Sequence, residues 1–187
     1  ILIKKCTSDL FDYLLDEKNC DGDLLNRLLK LYQFPPTLDY IYLDVKPENI
    51  VVCRESPDHD YQLQLIDFDT SFVKKLSSLG LDNMDGKFMA YKIMLLSLFI
   101  NMMKYYDVCK PFCDAFAEYL DSITENNDFE LLSKNPELNH VMKHYFKKST
   151  NKNYEGTFLK LYRKLDIYLR KLGPGKMTKK KKKTKKK

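Results

Sequence analysis

The segment Ile41–Val52 constrains the fold of this chain more than any other stretch of its sequence. It begins with an apolar, strand-like run, continues through a polar turn and ends in a run of β-branched residues. Within the turn, Asp44, Lys46 and Asn49 follow one another at offsets of two and three residues. A short turn between two strands holds these three side chains within one small volume, and we therefore expect them to act together.

A second strand pattern follows at Tyr61–Ile66 and ends in the triplet Asp67-Phe68-Asp69. The residues between the two strand patterns, 54–60, predict a long hairpin loop. Because a neighbouring strand end can bring Asp67 close to the turn, a carboxylate and an amide oxygen would meet there, and both suit Mg²⁺.

This set of side chains matches what phosphoryl transfer from ATP requires. The reaction needs a carboxylate that orients the attacking hydroxyl and takes its proton, a cation near the transferred phosphate, and oxygen ligands for Mg²⁺. Asp44 and Lys46 can supply the first two, and Asn49 and Asp67 can supply the ligands. Asp, Lys, Pro and Asn are also ordinary turn residues, so a plain β-hairpin is the alternative.

Together, the two motifs resemble the catalytic loop and the metal-binding loop of the eukaryotic-type Ser/Thr protein kinases. The motifs read Tyr42-Leu43-Asp44-Val45-Lys46-Pro47-Glu48-Asn49 and Asp67-Phe68-Asp69. The resemblance implies that Asp44 and Lys46 are catalytic, that Asn49 and Asp67 bind Mg²⁺, and that Lys46 also contacts ATP. The implied cofactors are ATP and Mg²⁺, and the implied substrate is a Ser/Thr hydroxyl of a protein.

The resemblance covers residues 1–172 and only the large lobe of a kinase. It implies an α+β fold, mostly helical, with a small β-hairpin at the catalytic loop. The sequence contains neither a Gly-rich phosphate loop nor a Val-Ala-Ile-Lys-like strand, which belong to the small lobe in the family. We therefore expect residues 1–187 alone to fold but to transfer no phosphate. Residues 173–187 are predicted to be a disordered, Lys-rich tail.

Several departures from the family pattern leave alternatives open. Tyr42 and Leu43 stand where the family has His and Arg, and Asp69 replaces the Gly of Asp-Phe-Gly. Because Leu43 cannot pair with a phosphorylated activation loop, switching by phosphorylation of that loop is not expected. The alternatives are a catalytically inactive pseudokinase or large-lobe binding scaffold, and a small-molecule kinase, which the short segment after Asp69 would allow. Kinases of large DNA viruses have similarly loosened motifs.

Apolar residues at helical spacing predict the rest of the fold. Pro35-Pro36 is expected to stop the second helix. Ile1-Leu2-Ile3 has a strand pattern, and the resemblance implies that Ile1–Lys5 corresponds to the last small-lobe strand and the hinge. The stretch Phe88–Tyr106 is apolar on nearly every side and predicts a buried central helix rather than a membrane span. The predicted helices span residues 10–15, 24–32, 88–106, 111–123, 136–147 and 156–172.

Charge and cysteine content bear on location and partners. Nine of the 32 basic residues lie at 176–187, so the rest of the chain carries 23 basic and 26 acidic residues. The tail lacks interleaved aromatic residues and Arg, so we expect binding to polyanions or an import receptor, or a merely solvated run, but no specific nucleic-acid recognition.

With five scattered Cys and no signal-peptide pattern, reduced thiols and a cytoplasmic location are predicted, or a nuclear one through the tail. A zinc site is possible by the spacing of the set Cys109, Cys113, His140 and His144, but free core thiols and surface His are favoured.

Overall fold

The computed structural model describes residues 5–20, 22–54, 60–69, 71–134, 136–146 and 153–171. It is an α+β fold with two small antiparallel sheets. The strands are β1 (Lys5–Asp9), β2 (Tyr40–Tyr42), β3 (Ile50–Arg54), β4 (Gln62–Leu65) and β5 (Val73–Lys75). The helices are α1 (Leu10–Leu14), α2 (Gly22–Thr37), α3 (Met84–Met102), α4 (Lys110–Ile123), α5 (Asn126–Lys134), α6 (Pro136–Phe146) and α7 (Gly156–Lys171).

Helix α3 is the centre of the core. Asn83 caps its first turn by accepting a hydrogen bond from the backbone N–H of Gly86 at 2.6 Å. Residues on every side of the helix are buried, from Ala90 to Met102, which confirms the predicted central helix. By length and composition alone Met84–Tyr105 could cross a membrane, and 78% of its most apolar window is buried inside the fold. Helices α2, α4 and α6 pack against it.

The charged residue inside this apolar helix has a buried partner. Lys92 Nζ lies 2.8 Å from Asp128 Oδ2, and both side chains are more than nine-tenths buried. The same carboxylate oxygen accepts a hydrogen bond from the backbone N–H of Glu125 at the start of α5. Because an unpaired buried charge is costly, this pair fixes α5 against the central helix.

The two strands that flank the predicted catalytic turn belong to different sheets. β3 pairs with β1 and β4, whereas β2 pairs with β5. The hairpin is therefore β3–β4, whose connecting residues 55–59 are outside the described ranges. β2 and β3 do not pair with each other across the turn, so the plain hairpin that was the alternative for Asp44, Lys46 and Asn49 is wrong.

Most predicted helices are confirmed, and the differences have local causes. Asp9 caps α1 by accepting from the backbone N–H of Asp12 at 2.9 Å. Helices α4, α6 and α7 lie close to their predicted ranges. α5, with only nine residues, was not predicted, and Pro136 was interpreted only as the start of the next helix. Residues 1–4 of the predicted first strand and the predicted tail, 173–187, lie outside the described residues.

Pro35 and Pro36 do not stop α2 where the sequence predicted. The helix continues to Thr37 because only two intrahelical donors are lost, both in its last turn. The carbonyls of the two prolines instead accept hydrogen bonds from the backbone N–H groups three residues later, those of Leu38 and Asp39, at 3.0 and 3.1 Å. Asp39 then ends the turn with a positive φ of 62°, a conformation that Asp tolerates better than most residues.

The prediction that all cysteines are reduced is wrong for four of the five. Cys6 on β1 is paired with Cys53 on β3, and Cys20 is paired with Cys109. Cys113 is a free, buried thiol. The pairs join residues 47 and 89 positions apart, so sequence spacing could not identify them. Because Cys109 is in a disulfide, it cannot serve as a zinc ligand together with Cys113, His140 and His144. Both of these His side chains are exposed, as expected.

Replacement of Gly86 by Ala tests the approach of the connecting segment to α3. A Cβ at this position would lie 2.5 Å from backbone atoms of Leu81, which cannot move as a side-chain tip could. We expect Gly86→Ala to lower the free energy of unfolding by roughly 1–3 kcal/mol in urea denaturation, the usual cost of overpacking. Met84→Ala, at the exposed start of the same helix, is the control and should change stability little. Equal stability of the two variants would contradict the close approach.

Candidate active site

The residues of the predicted turn occupy the connection between the two sheets. After β2 ends at Tyr42, the chain passes through an extended segment and a 3₁₀ turn, Pro47–Asn49, before β3 begins. Pro47 stands in the first position of that turn, where its fixed φ is favourable and its missing N–H is not needed. The backbone N–H of Asn49 bonds to the carbonyl of Lys46 at 3.0 Å and closes the turn.

Asp44, Lys46 and Asn49 are in direct contact, as the sequence predicted. Lys46 Nζ donates to Asp44 Oδ2 at 2.8 Å, and Asn49 Nδ2 donates to the same oxygen at 2.8 Å. Asn49 Nδ2 also lies 3.1 Å from the backbone carbonyl oxygen of Asp44. Asp44 and Asn49 are buried, and Lys46 is partly exposed. The buried carboxylate of Asp44 is thus held by the buried amide of Asn49, while the side chain of Lys46 extends to the surface.

Tyr42 links this cluster to the second motif. Its hydroxyl accepts a hydrogen bond from Asn49 Nδ2 at 2.6 Å and donates towards the backbone carbonyls of Asp67, at 3.1 Å, and Ile66, at 3.3 Å. Its ring contacts that of Phe68, with centroids 5.7 Å apart. From the sequence, Tyr42 was interpreted only as a departure from the His of the family pattern. The sequence did contain one indication of a linking role, because a Tyr hydroxyl can donate one hydrogen bond and accept another.

The triplet Asp67-Phe68-Asp69 is held at a backbone turn. Asp67 has a φ of 59°, a left-handed conformation that is uncommon for a residue other than Gly and often marks functional sites. Asp69 replaces the Gly of the family pattern, but the left-handed residue of the triplet is Asp67. Its side chain is exposed beside the cluster, with its backbone bonded to Tyr42.

Asp69 has a local role in the loop. Its Oδ1 accepts a hydrogen bond from the backbone N–H of Ser71 at 2.9 Å, which forms an Asx turn. That bond, together with one from the Ser71 side chain, lowers the pKa of the Asp69 carboxyl. The carboxylate is therefore used in the turn, which makes Asp67 the better candidate for a metal ligand.

Two further side chains near the cluster were not singled out from the sequence. Glu48 Oε1 accepts from Lys104 Nζ at 2.8 Å, which joins the 3₁₀ turn to the segment after α3. Tyr32 on α2 is fully buried, and its hydroxyl has no hydrogen-bond partner among the described residues. Burial, and the proximity of Tyr42 and Asp44, raise the pKa of Tyr32 well above its ordinary value.

The donor atoms fit Mg²⁺ only as a partial ligand set. Within the described ranges, no group of three or more His, Cys, Asp or Glu side chains could hold a metal ion. Asn49 makes its three donated contacts with the two hydrogens of Nδ2, one of which is shared between two acceptors, and this leaves the amide oxygen Oδ1 for a cation. One carboxylate and one amide oxygen suit Mg²⁺, which keeps several waters and takes its remaining ligands from substrate phosphates.

An apolar groove of about 410 Å³ lies beside the cluster, between the end of α2 and strands β2, β4 and β5. Its walls include Phe34 and Phe68, which are 62% and 58% exposed, and Leu38, which is 54% exposed. Tyr42 contributes to the same wall, so the groove and the hydrogen-bonded cluster share a side chain. Exposed apolar surface of this kind is typical of an interaction site.

Comparison of the chain with models of known protein families, with curated proteins and with solved structures gives no significant match.

Tyr42→Phe tests the link between the cluster and Asp67. The variant removes one hydroxyl that serves as acceptor for Asn49 and as donor to backbone carbonyls, while the ring remains. We expect a loss of about 1–2 kcal/mol in the free energy of unfolding at pH 8, the range for a buried hydrogen bond whose partners lose their contact. An unchanged stability at pH 8 would contradict the bonds described above.

The pH dependence of the same comparison identifies the hydroxyl. Burial raises the pKa of Tyr42 to about 12, whereas a Tyr in an unfolded chain titrates near 10. The unfolded state therefore loses its proton first, and the contribution of Tyr42 is present below pH ~10 and is lost as the pH rises through ~12. Between pH 8 and pH 11 the difference in stability between wild type and Tyr42→Phe should shrink by roughly 1 kcal/mol. A difference that stays constant would mean that the hydroxyl is exposed to solvent.

Proposed function

We propose that this chain is the large-lobe part of a eukaryotic-type Ser/Thr protein kinase and that it contributes to transfer of the ATP γ-phosphoryl group to a Ser/Thr hydroxyl. One observation carries the proposal: Asp44, Lys46 and Asn49 form a hydrogen-bonded cluster whose members are 2.8 Å apart at their contacts. Asp67 is tied to that cluster through its backbone and Tyr42. A plain turn does not require such convergence of buried polar groups.

Each residue of the cluster has a role that follows from its position. Asp44 is the base: its carboxylate orients the acceptor hydroxyl and takes its proton. Lys46 supplies a positive charge next to that carboxylate and neutralises charge on the transferred group. Asn49 restrains Asp44 through two of its bonds, so the carboxylate is oriented before an acceptor arrives.

Asn49 Oδ1 and the Asp67 carboxylate are the atoms that would hold Mg²⁺, together with phosphate oxygens of ATP. When bound, the metal supplies positive charge to the β- and γ-phosphates. Lys46, which is partly exposed and bonded to Asp44, is the cation that would contact the phosphates in this proposal. This ligand set is small, which agrees with a site that holds metal and nucleotide together rather than metal alone.

The apolar groove supports the large-lobe interpretation and also favours a second candidate function. The resemblance implies that a small lobe closes over the catalytic loop, and exposed Phe34, Leu38 and Phe68 lie on the face beside that loop. A catalytically inactive binding scaffold would use the same apolar face for a partner. A kinase would transfer phosphate by means of the polar cluster next to the groove, whereas a scaffold would transfer no phosphate and would need only the groove.

Asp44→Asn separates these functions. In the full-length protein that the gene encodes, we expect this variant to lower kcat by at least about a hundredfold, because general-base catalysis contributes mainly to the transition state. Affinity for Mg²⁺-ATP should change little, since Asn keeps the size and a hydrogen-bonding oxygen. Transfer is measured with radiolabelled ATP and either a basic protein or a set of small alcohols, so that a small-molecule kinase is recognised by its acceptor.

The outcomes of that measurement are distinct. A wild-type protein that transfers no label to any acceptor but binds a protein through the groove would support the scaffold. Equal loss of nucleotide binding and turnover in Asp44→Asn would overturn the role of base. Glu48→Gln is a suitable control, because Glu48 lies in the same turn and its bonded partner is the partly exposed Lys104.

Asp67→Ala tests the metal ligand. We expect this variant to abolish the Mg²⁺-dependent part of nucleotide binding, measured by calorimetric titration with and without Mg²⁺, because it removes the anionic ligand of the proposed pair. Asp69→Ala is the matched control, two residues away, whose carboxylate accepts from Ser71 in the Asx turn. If Asp69→Ala has the larger effect, the ligand role belongs to Asp69.

A further inference from the structure

We propose that Asn101, on the central helix α3, is a positioning residue that sets the direction of Asp44 and Lys46 by holding the carbonyl group between them. Asn101 Nδ2 donates to the backbone carbonyl oxygen of Val45 at 2.7 Å. Val45 is the residue between Asp44 and Lys46, and its side chain is fully buried. The significance of this contact for turnover rests on the proposed phosphoryl transfer.

The bond meets a need that the local backbone leaves open. Residues 43–46 belong to neither sheet, so the carbonyl of Val45 has no partner in a strand ladder. A buried carbonyl without a partner is costly, and a side-chain donor is the usual remedy outside regular structure. Asn101 provides it from the central, largely buried helix α3, so the turn is bonded to the core of the fold.

Fixing this carbonyl fixes the orientation of the peptide unit between Val45 and Lys46. That peptide plane determines the direction in which the Lys46 side chain leaves the backbone relative to Asp44, two residues earlier. With the plane held, Lys46 Nζ reaches Asp44 Oδ2 at 2.8 Å. If the plane rotated, the two side chains would diverge, and the bond from Asn49 would no longer suffice to orient Asp44.

Lys92, Ser97 and Asn101 interrupt the apolar part of α3, residues 88–102, and their contacts support a specific role for Asn101. Lys92 is paired with Asp128, and Ser97 Oγ donates to the carbonyl of Ile93 and to Met142. These two contacts serve the packing of helices. Asn101 also donates to the carbonyl of Ser97 at 3.1 Å, but its shorter bond leaves the helix bundle and goes to the catalytic turn.

The test uses Asn101→Leu, which keeps similar volume and removes both donated bonds, and Ser97→Ala as a matched control one helical turn away. The readout is the side-chain amide of Asn49, observed by ¹⁵N–¹H NMR. This amide bonds to Asp44 and Tyr42, so it reports the geometry of the cluster without requiring activity. In Asn101→Leu we expect shifted Asn49 amide signals and hydrogen exchange faster by about five- to tenfold, the factor that one hydrogen bond is worth. Ser97→Ala should lower the urea midpoint and leave these signals in place.

The alternative outcome is clear as well. If Asn101→Leu lowers the urea midpoint but leaves the Asn49 amide unchanged, Asn101 serves helix packing only and the proposal is wrong. Asn101→Asp, which removes the donors and keeps the shape, gives the same test should the Leu variant fail to fold. Asn101→Gln restores a donor and should recover part of the wild-type exchange rate.

Kinetics separate this proposal from the proposed function. In the full-length protein, Asn101→Leu should lower kcat and leave KM for ATP nearly unchanged, because Asp44 and Lys46 act on the transferred group. A wild-type protein without transferase activity would remove the proposed function, while the NMR measurement would still decide whether Asn101 orients the cluster.

Discussion

A helix that is apolar on every side has to be covered on every side, and this constraint shapes the whole fold. α3 cannot lie at a surface, so helices α2, α4 and α6 surround it, and the turn that holds Asp44, Lys46 and Asn49 lies against its end. The few polar residues in α3 must then find partners inside the protein. Lys92 does so in α5 and Asn101 does so in the turn, so the burial of one helix determines contacts in distant parts of the chain.

The sequence was most informative where local pattern and chemistry agree. The grouping of Asp44, Lys46 and Asn49 could be predicted because all three lie within six residues, and a short turn leaves them little room to separate. The central helix could be predicted because its composition excludes any exposed face.

Long-range pairing was not accessible to the same reasoning. β2 and β3 are neighbours in sequence, yet they join different sheets, because the partner of β2 is a strand about thirty residues later. The pairs Cys6–Cys53 and Cys20–Cys109 depend on the same tertiary arrangement. The linking role of Tyr42 requires the backbone of Asp67 to arrive at its hydroxyl, which no local pattern encodes.

The smaller sheet has a consequence for how the cluster is maintained over time. β2 and β5 contribute three residues each, and a two-stranded sheet of this length needs packing against other elements to be stable in water. Helices α2 and α3 supply that packing to β2, whose Ile41 and Tyr42 are buried, whereas the residues of β5 are half-buried or exposed. Since Tyr42 lies at the end of β2, displacement of this strand would separate Asn49 from the backbone of Asp67. The assembly of the cluster therefore depends on how firmly the core helices hold one strand of three residues.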